Sequence, residues 1–197
     1  MKNIVILISG SGSNMVAIVK TAQRDGWHSK LGARVAAVIS NKANAQGLVL
    51  ARHEGLATAV LDHKTFASRE VFDEALALEI DRYDTPEHPV LVVLAGFMRI
   101  LTPGFVNRYR GRLLNIHPSL LPAFPGLNTH QRALDAGCRV AGVTVHQVTA
   151  ELDQGPILAQ AAVPVLPGDT ADTLAARVLT QEHLIYPRAI AELLQNS

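Results

Sequence analysis

A chain of 197 residues that is 48% hydrophobic and 5% aromatic holds enough apolar material for one domain with a large, mostly aliphatic core. Eighteen Lys and Arg against seventeen Asp and Glu leave a formal net charge of +1, and no basic run marks a nucleic-acid or membrane face. Cys138 is the only cysteine, so no internal disulfide is expected and the setting expected is cytoplasmic; no apolar stretch reaches membrane-spanning length.

The N-terminus, Met1-Lys2-Asn3-Ile4, opens a strand rather than a signal peptide, because its apolar run is short and meets glycine at once. Ile4 to Ile8 is continuously apolar, as expected of a strand buried on both faces of a parallel sheet. Ser9-Gly10-Ser11-Gly12-Ser13-Asn14 follows, then a helix from Met15 to about Arg24. A glycine loop opening a helix presents N–H groups that can hold phosphate. The dinucleotide fingerprint would need glycine where Met15 stands, and the phosphate-loop motif would need Gly-Lys-Ser/Thr; a monophosphate fits better. A tight turn with no ligand is the plain alternative.

Arg34 to Ser40 reads as a second strand, Asn44 to Glu54 as a helix closed by Gly55, and Thr58 to Leu61 as a third strand. Ser68 caps a helix running to about Arg82, with Ser68-Arg69-Glu70-Val71 close to a capping box. Asp84 to Pro89 is a polar loop, and Val90 to Ala95 is the next buried strand. This alternation predicts an α/β fold with right-handed crossovers and ligands beyond the carboxyl ends of the strands. Further on, Thr129 to Ala136 is a short helix, and Val143 to Val148 alternates as a half-buried strand does. The turn Ala150 to Gly155 and the stretch Pro156 to Val165 complete an antiparallel hairpin. Gly168-Asp169-Thr170 starts the last helix, with Leu174, Val178 and Ile185 on its buried face and Pro187 placed to kink it.

The chemistry concentrates in Leu113-Leu114-Asn115-Ile116-His117-Pro118-Ser119-Leu120-Leu121-Pro122. A strand ends there and opens into a proline-constrained loop. Asn115 and His117 are two apart, so in a strand both leave on one face. An amide and an imidazole aimed together suit the stabilisation of charge on an acyl oxygen and the movement of a proton. Out of context, the same pair caps a strand and satisfies a buried carbonyl.

Five stretches together resemble the glycinamide ribonucleotide formyltransferase family: Ile8 to Asn14, Leu94-Ala95-Gly96-Phe97-Met98-Arg99-Ile100-Leu101, Asn115 to Pro122, Glu151-Leu152-Asp153-Gln154-Gly155-Pro156, and Thr180-Gln181-Glu182-His183-Leu184-Ile185-Tyr186-Pro187. They stand in the family's order across nearly the whole chain. The resemblance implies a single-domain Rossmann-like formyltransferase fold, with a mostly parallel seven-stranded sheet and helices on both faces. Residues 1–100 would form a phosphate-binding half, and residues 101–197 a folate-binding and catalytic half. It implies transfer of formyl from 10-formyltetrahydrofolate, a co-substrate, to the amine of glycinamide ribonucleotide through a tetrahedral intermediate, with no metal. Asn115, His117 and Asp153 would be catalytic, and Gly12, Ser13, Asn14 and Glu182 would bind the nucleotide. Arg69, Met98, Arg99, Ile100, Leu101, Asn115, Val148 and Asp153 would bind folate. Leu94, Ile100, Leu101, Phe105, Leu113 and Val148 could form an apolar pterin slot, although residues of that kind are ordinarily core. The resemblance also implies a cis peptide at Leu121-Pro122. Asp153 should reach His117 because the strands carrying them end at one rim of the sheet.

The chain departs from the family pattern at Ala123, where Lys is expected, and at Asn128, where His is expected. Formyltetrahydrofolate deformylase shares the Asn, His and Asp but usually carries a preceding regulatory domain, and here the first strand begins at residue 3. Methionyl-tRNA formyltransferase needs a further RNA-binding domain and a basic surface, against a near-neutral chain ending at Ser197. A ligand-sensing module leaves the Asn115, His117 and Asp153 coincidence unexplained. The partners expected are glycinamide ribonucleotide and folate, with no nucleic acid and no membrane, for a monomer or a homodimer.

Overall fold

The computed structural model describes residues 1–196, so Ser197, the nominal end of the expected C-terminal half, lies outside the described residues. The strands are β1 (Lys2–Ile8), β2 (Ala33–Ser40), β3 (Ala57–Val60), β4 (Leu91–Leu94), β5 (Leu113–His117), β6 (Val140–Gln147) and β7 (Ile157–Pro164). They form one seven-stranded sheet in the order β3-β2-β1-β4-β5-β6-β7. Pairing is parallel from β3 through β5 and antiparallel from β5 through β7.

The helices are α1 (Ser13–Arg24), α2 (Trp27–Lys30), α3 (Gln46–His53), α4 (Arg69–Asp81), α5 (Pro103–Arg108), α6 (Thr129–Asp135) and α7 (Ala171–Gln195). They cover both sheet faces, which is why β1 is buried from Asn3 to Ile8. Ile4, Ile6 and Ile8 enter the core with α1, α3 and α7, while Val5 and Leu7 enter the one with α4 and α5. Each such side chain contributes about 1.5–3 kcal/mol relative to exposure.

Several boundaries differ from expectation for local reasons. α1 begins at Ser13 rather than Met15, because Gly12 turns the chain at φ 76 and takes the cap position itself. No alanine would fit there: a Cβ on Gly12 would lie 2.7 Å from the Cα of Gly47. α4 starts as expected, with the Val71 N–H donating to Ser68 Oγ at 3.3 Å. The short helices α2 and α5 carry too few residues for a periodic signal. α5 is nevertheless announced by Thr102-Pro103, with a cap hydroxyl followed by proline at the first helical position. α7 continues through Pro187. Leu121-Pro122 is cis, as the resemblance implies.

β6 is not half-buried. Every residue from Ala141 to His146 is buried. The polar face is satisfied from within, since Thr144 Oγ1 donates to the Ser119 carbonyl at 2.7 Å and accepts from Gln160 Nε2 at 2.9 Å. This network fixes the loop that follows His117. Among the described residues, no helix is long and apolar enough to cross a membrane.

Candidate active site

β5 supplies the first two groups. Leu113 packs into the α4–α5 core, whereas Leu114 and Ile116 enter the other. Alternation therefore sends Asn115 and His117 out on the face of Leu113. His117 is 6% exposed. Its Nε2 donates to the Phe124 carbonyl at 2.9 Å, and since a carbonyl only accepts, the proton is on that nitrogen. Its Nδ1 lies 3.5 Å from Asp153 Oδ2. As a cation the ring donates at both nitrogens, one to each partner. Asp153 Oδ2 also accepts the Gly126 N–H at 2.9 Å, which ties two loops together.

Asp153 arrives by a route the sequence reading misjudged. β6 runs antiparallel to β5, with Leu114 opposite Gln147 and His117 opposite Thr144. The carboxyl end of β6 thus lies beside the start of β5, at the rim away from His117. The Val148 N–H still bonds the Leu113 carbonyl there, and the chain then turns back along the sheet face to bring Asp153 to the imidazole. Two backbone features allow this. Asp153 adopts φ 55, a left-handed conformation that costs a non-glycine residue about 1–2 kcal/mol. Gly155 passes so close to the Gln147 carbonyl that no Cβ fits.

The structure adds His146, which the sequence reading missed. It is 2% exposed and directly opposite Asn115. Its Nδ1 donates to the Gln147 carbonyl at 3.0 Å, leaving Nε2 as a bare acceptor 3.3 Å from Asn115 Nδ2. Burial pushes His146 below the ordinary histidine value, against the opposing pull of the Gln147 carbonyl and Asp153, which keeps the ring neutral. One Asn115 N–H is thereby engaged, and the amide orientation is fixed. The available signal was strand alternation, because Thr144 and His146 share a face. His130 is also near: burial, then the charge of His117, push it down. Asn128, at the departure from the family pattern, caps α6 at φ 55, which asparagine tolerates better than most residues.

Gly12, Ser13 and Asn14 sit at the positive end of α1, and their N–H groups have no partner among the described residues. Asn14 Nδ2 donates to Glu182 Oε2 at 2.6 Å, joining α1 to α7. Burial pushes the Glu182 carboxyl up, opposed by Asn14 and by the charges of His183 and His117. Glu182 is therefore within electrostatic reach of the imidazole. Asn14 Oδ1 is buried without a hydrogen-bond partner among the described residues.

The residues expected at a folate site fare differently from one another. Met98 and Ile100 are 65% and 64% exposed, Arg99, Leu101 and Val148 are partly buried, and Arg69 is exposed at the first residue of α4. Leu94, Phe105 and Leu113 are core side chains at 6%, 4% and 0% exposure. Leu127 and Leu152, which flank Gly126 and Asp153 in sequence, are exposed apolar residues that sequence reasoning did not single out. No group of three or more His, Cys, Asp or Glu among the described residues could hold a metal ion.

The chain is similar to known proteins in sequence and in fold. Phosphoribosylglycinamide formyltransferase of Escherichia coli K12 is 54% identical over 96% of this chain and 85% of its own length. The crystal structure of phosphoribosylglycinamide formyltransferase from Brucella melitensis is 53% identical, with a TM-score of 0.86 over 98% of this chain and 95% of that one. Glycinamide ribonucleotide transformylase 1 from Symbiobacterium toebii is 47% identical, with a TM-score of 0.91 over 100% and 89%. A family model described as formyl transferase matches residues 2–190. Sequence, sheet order and near-complete coverage agree, and the chain belongs to the formyl transferase family.

Proposed function

We propose that the protein transfers the formyl group of 10-formyltetrahydrofolate to the amine of glycinamide ribonucleotide, as the names of its relatives suggest. The observation that carries the reading is the placement of His117 Nδ1 3.5 Å from Asp153 Oδ2, beside Asn115 on the same strand face. The substrate amine attacks the formyl carbon and a C–N bond forms. The carbonyl electron pair moves to oxygen. The free N–H of Asn115 donates to that oxyanion, and the positive imidazole of His117 stabilises it at short range in a water-poor setting. The ammonium then loses a proton, folate N10 gains one, and the C–N10 bond breaks as the oxyanion collapses. Asp153 holds His117 and passes protons through water. The Gly12–Asn14 N–H groups would hold the ribose phosphate, Glu182 the nucleotide, and Arg69, Met98 to Leu101, Val148 and Asp153 the folate. In this reading residues 1–100 serve the phosphate and 101–197 the folate and the chemistry.

An assay with both substrates tests the reading. Formylated nucleotide and tetrahydrofolate should appear in equal amounts. Release of formate without formylated nucleotide would instead indicate a hydrolase.

Anion density at the N-terminus of α1 is a first expected result. Crystals soaked in phosphate should bind it on the N–H groups of Gly12 to Asn14. An empty loop at saturating phosphate would contradict the assignment.

Glu182 supplies a second. Its raised carboxyl means that the folded chain holds the proton to higher pH than the unfolded chain. That contribution to stability is complete below the unfolded value and is lost as pH rises through the folded one. Glu182→Gln should therefore be at least as stable as the parent at neutral pH in urea melts, yet bind glycinamide ribonucleotide more weakly. The parent should bind glycinamide ribonucleotide more weakly as Glu182 takes up its proton on acidification, and the glutamine variant should lack that dependence. A less stable variant with unchanged affinity would overturn this.

A further inference from the structure

The segment from Met98 to Thr102 is held at both ends by buried side chains from other elements. At one end, the Met98 N–H donates to Ser9 Oγ at 2.8 Å. Ser9 follows β1, is 4% exposed, and has its own proton committed to Asn41 Oδ1 at 2.5 Å. Its backbone N–H also bonds the Gly96 carbonyl at 3.1 Å. At the other end, the Thr102 N–H donates to Asp73 Oδ2 at 2.6 Å. Asp73 projects from α4, is 3% exposed, and its second oxygen is buried with no hydrogen-bond partner among the described residues.

Between these two ties, the backbone N–H and C=O groups of Arg99, Ile100 and Leu101 have no hydrogen-bond partner among the described residues. The Ile100 side chain is exposed. An irregular segment with unpaired backbone normally adapts to solvent. Here both ends are fixed by buried acceptors that water hardly reaches, the Ser9 hydroxyl at 2.8 Å and an Asp73 carboxyl oxygen at 2.6 Å, and a buried backbone N–H does not readily give up its partner. The result is a preformed row of donors and acceptors beside the catalytic strand, since β4, which precedes the segment, pairs with β5.

We propose that Ser9 and Asp73 are positioning residues that clamp this row in register for the hydrogen-bonding edge of the folate pterin. The inference rests on the folate reading of Met98 to Leu101 given above. Neither side chain touches the reacting atoms; both act through the backbone. The purely structural alternative is that Asp73 only ties α4 to the start of α5, where Thr102 caps the helix by accepting from the Phe105 N–H.

The test compares Ser9→Ala, Asp73→Ala and Asp73→Asn in the intact chain. Affinities for tetrahydrofolate and for glycinamide ribonucleotide are measured by calorimetry, with urea melts alongside. Each alanine variant should weaken tetrahydrofolate binding by about tenfold or more while the nucleotide affinity changes much less. Asp73→Asn, which keeps an acceptor oxygen, should recover most of the loss. Normal folate affinity in either folded alanine variant overturns the clamp, and so does an equal loss of both affinities. Should Asp73→Ala fail to fold, Ser9→Ala decides alone, because it removes one oxygen atom. Amide exchange on the parent separates the two levels of the inference. If tetrahydrofolate fails to slow exchange at Arg99 to Leu101, the folate reading of the segment is wrong. If it slows exchange there and the alanine variants still bind normally, the clamp is wrong.

Discussion

Replacing His117 by alanine is expected to lower kcat by about 10²–10⁴, the range spanned by loss of one oxyanion-stabilising or proton-moving group. Substrate affinities should change less than turnover, because the contact with an oxyanion exists only in the transition state. The geometry sharpens this expectation. Both ring nitrogens already face acceptors, Phe124 O at 2.9 Å and Asp153 Oδ2 at 3.5 Å. The ring therefore offers the oxyanion chiefly its positive charge, and that charge cannot be replaced by a neutral donor. Alanine also leaves the Phe124 carbonyl and a nearly buried carboxylate short of a partner. A stability loss of about 1–3 kcal/mol should accompany the kinetic one. Rate measurements at temperatures well below the variant's melting point separate the two effects, and near-normal turnover would remove His117 from the mechanism.

The second large effect is at Asn115. Alanine there should cost about 10²–10³ in kcat, the range for one oxyanion donor. Asn115→Asp should be at least as damaging although it is nearly the same size. His146 Nε2 is a bare acceptor 3.3 Å from Asn115 Nδ2, so a carboxylate would set acceptor against acceptor. It would also place negative charge where the oxyanion forms. Steady-state rates with both substrates saturating check this. An aspartate variant as fast as the parent would mean that the Asn115 amide makes no such donation.

Much of this architecture was legible in the residues. β1, β2 and β4 are apolar runs that only a two-sided sheet can bury, and the glycine loop after β1 marks the start of α1. Asn115 and His117 declared themselves by spacing. What stayed hidden depends on pairing direction and on tertiary contacts. Alternation cannot reveal that β6 runs against β5, so the path of Asp153 was misread while its destination was right. His146 read as a strand polar residue, because its value comes from lying opposite Asn115. Phe105 and Leu113 are core side chains at 4% and 0% exposure, whereas Ile100 is 64% exposed, a difference that apolar residues do not show in sequence. The clamping roles of Ser9 and Asp73 carry no sequence signal, since each side chain bonds a backbone N–H far along the chain, 89 and 29 positions away.

If His117 and Asp153 act as one unit, the direct measurement is kcat for His117→Ala, Asp153→Asn and the double variant, with both substrates saturating. The double loss should be close to the larger single loss and far below the product of the two, as for catalytic groups that work only together. Single losses that multiply in the double variant would show two independent contributions and would contradict a carboxylate acting through the imidazole it faces at 3.5 Å.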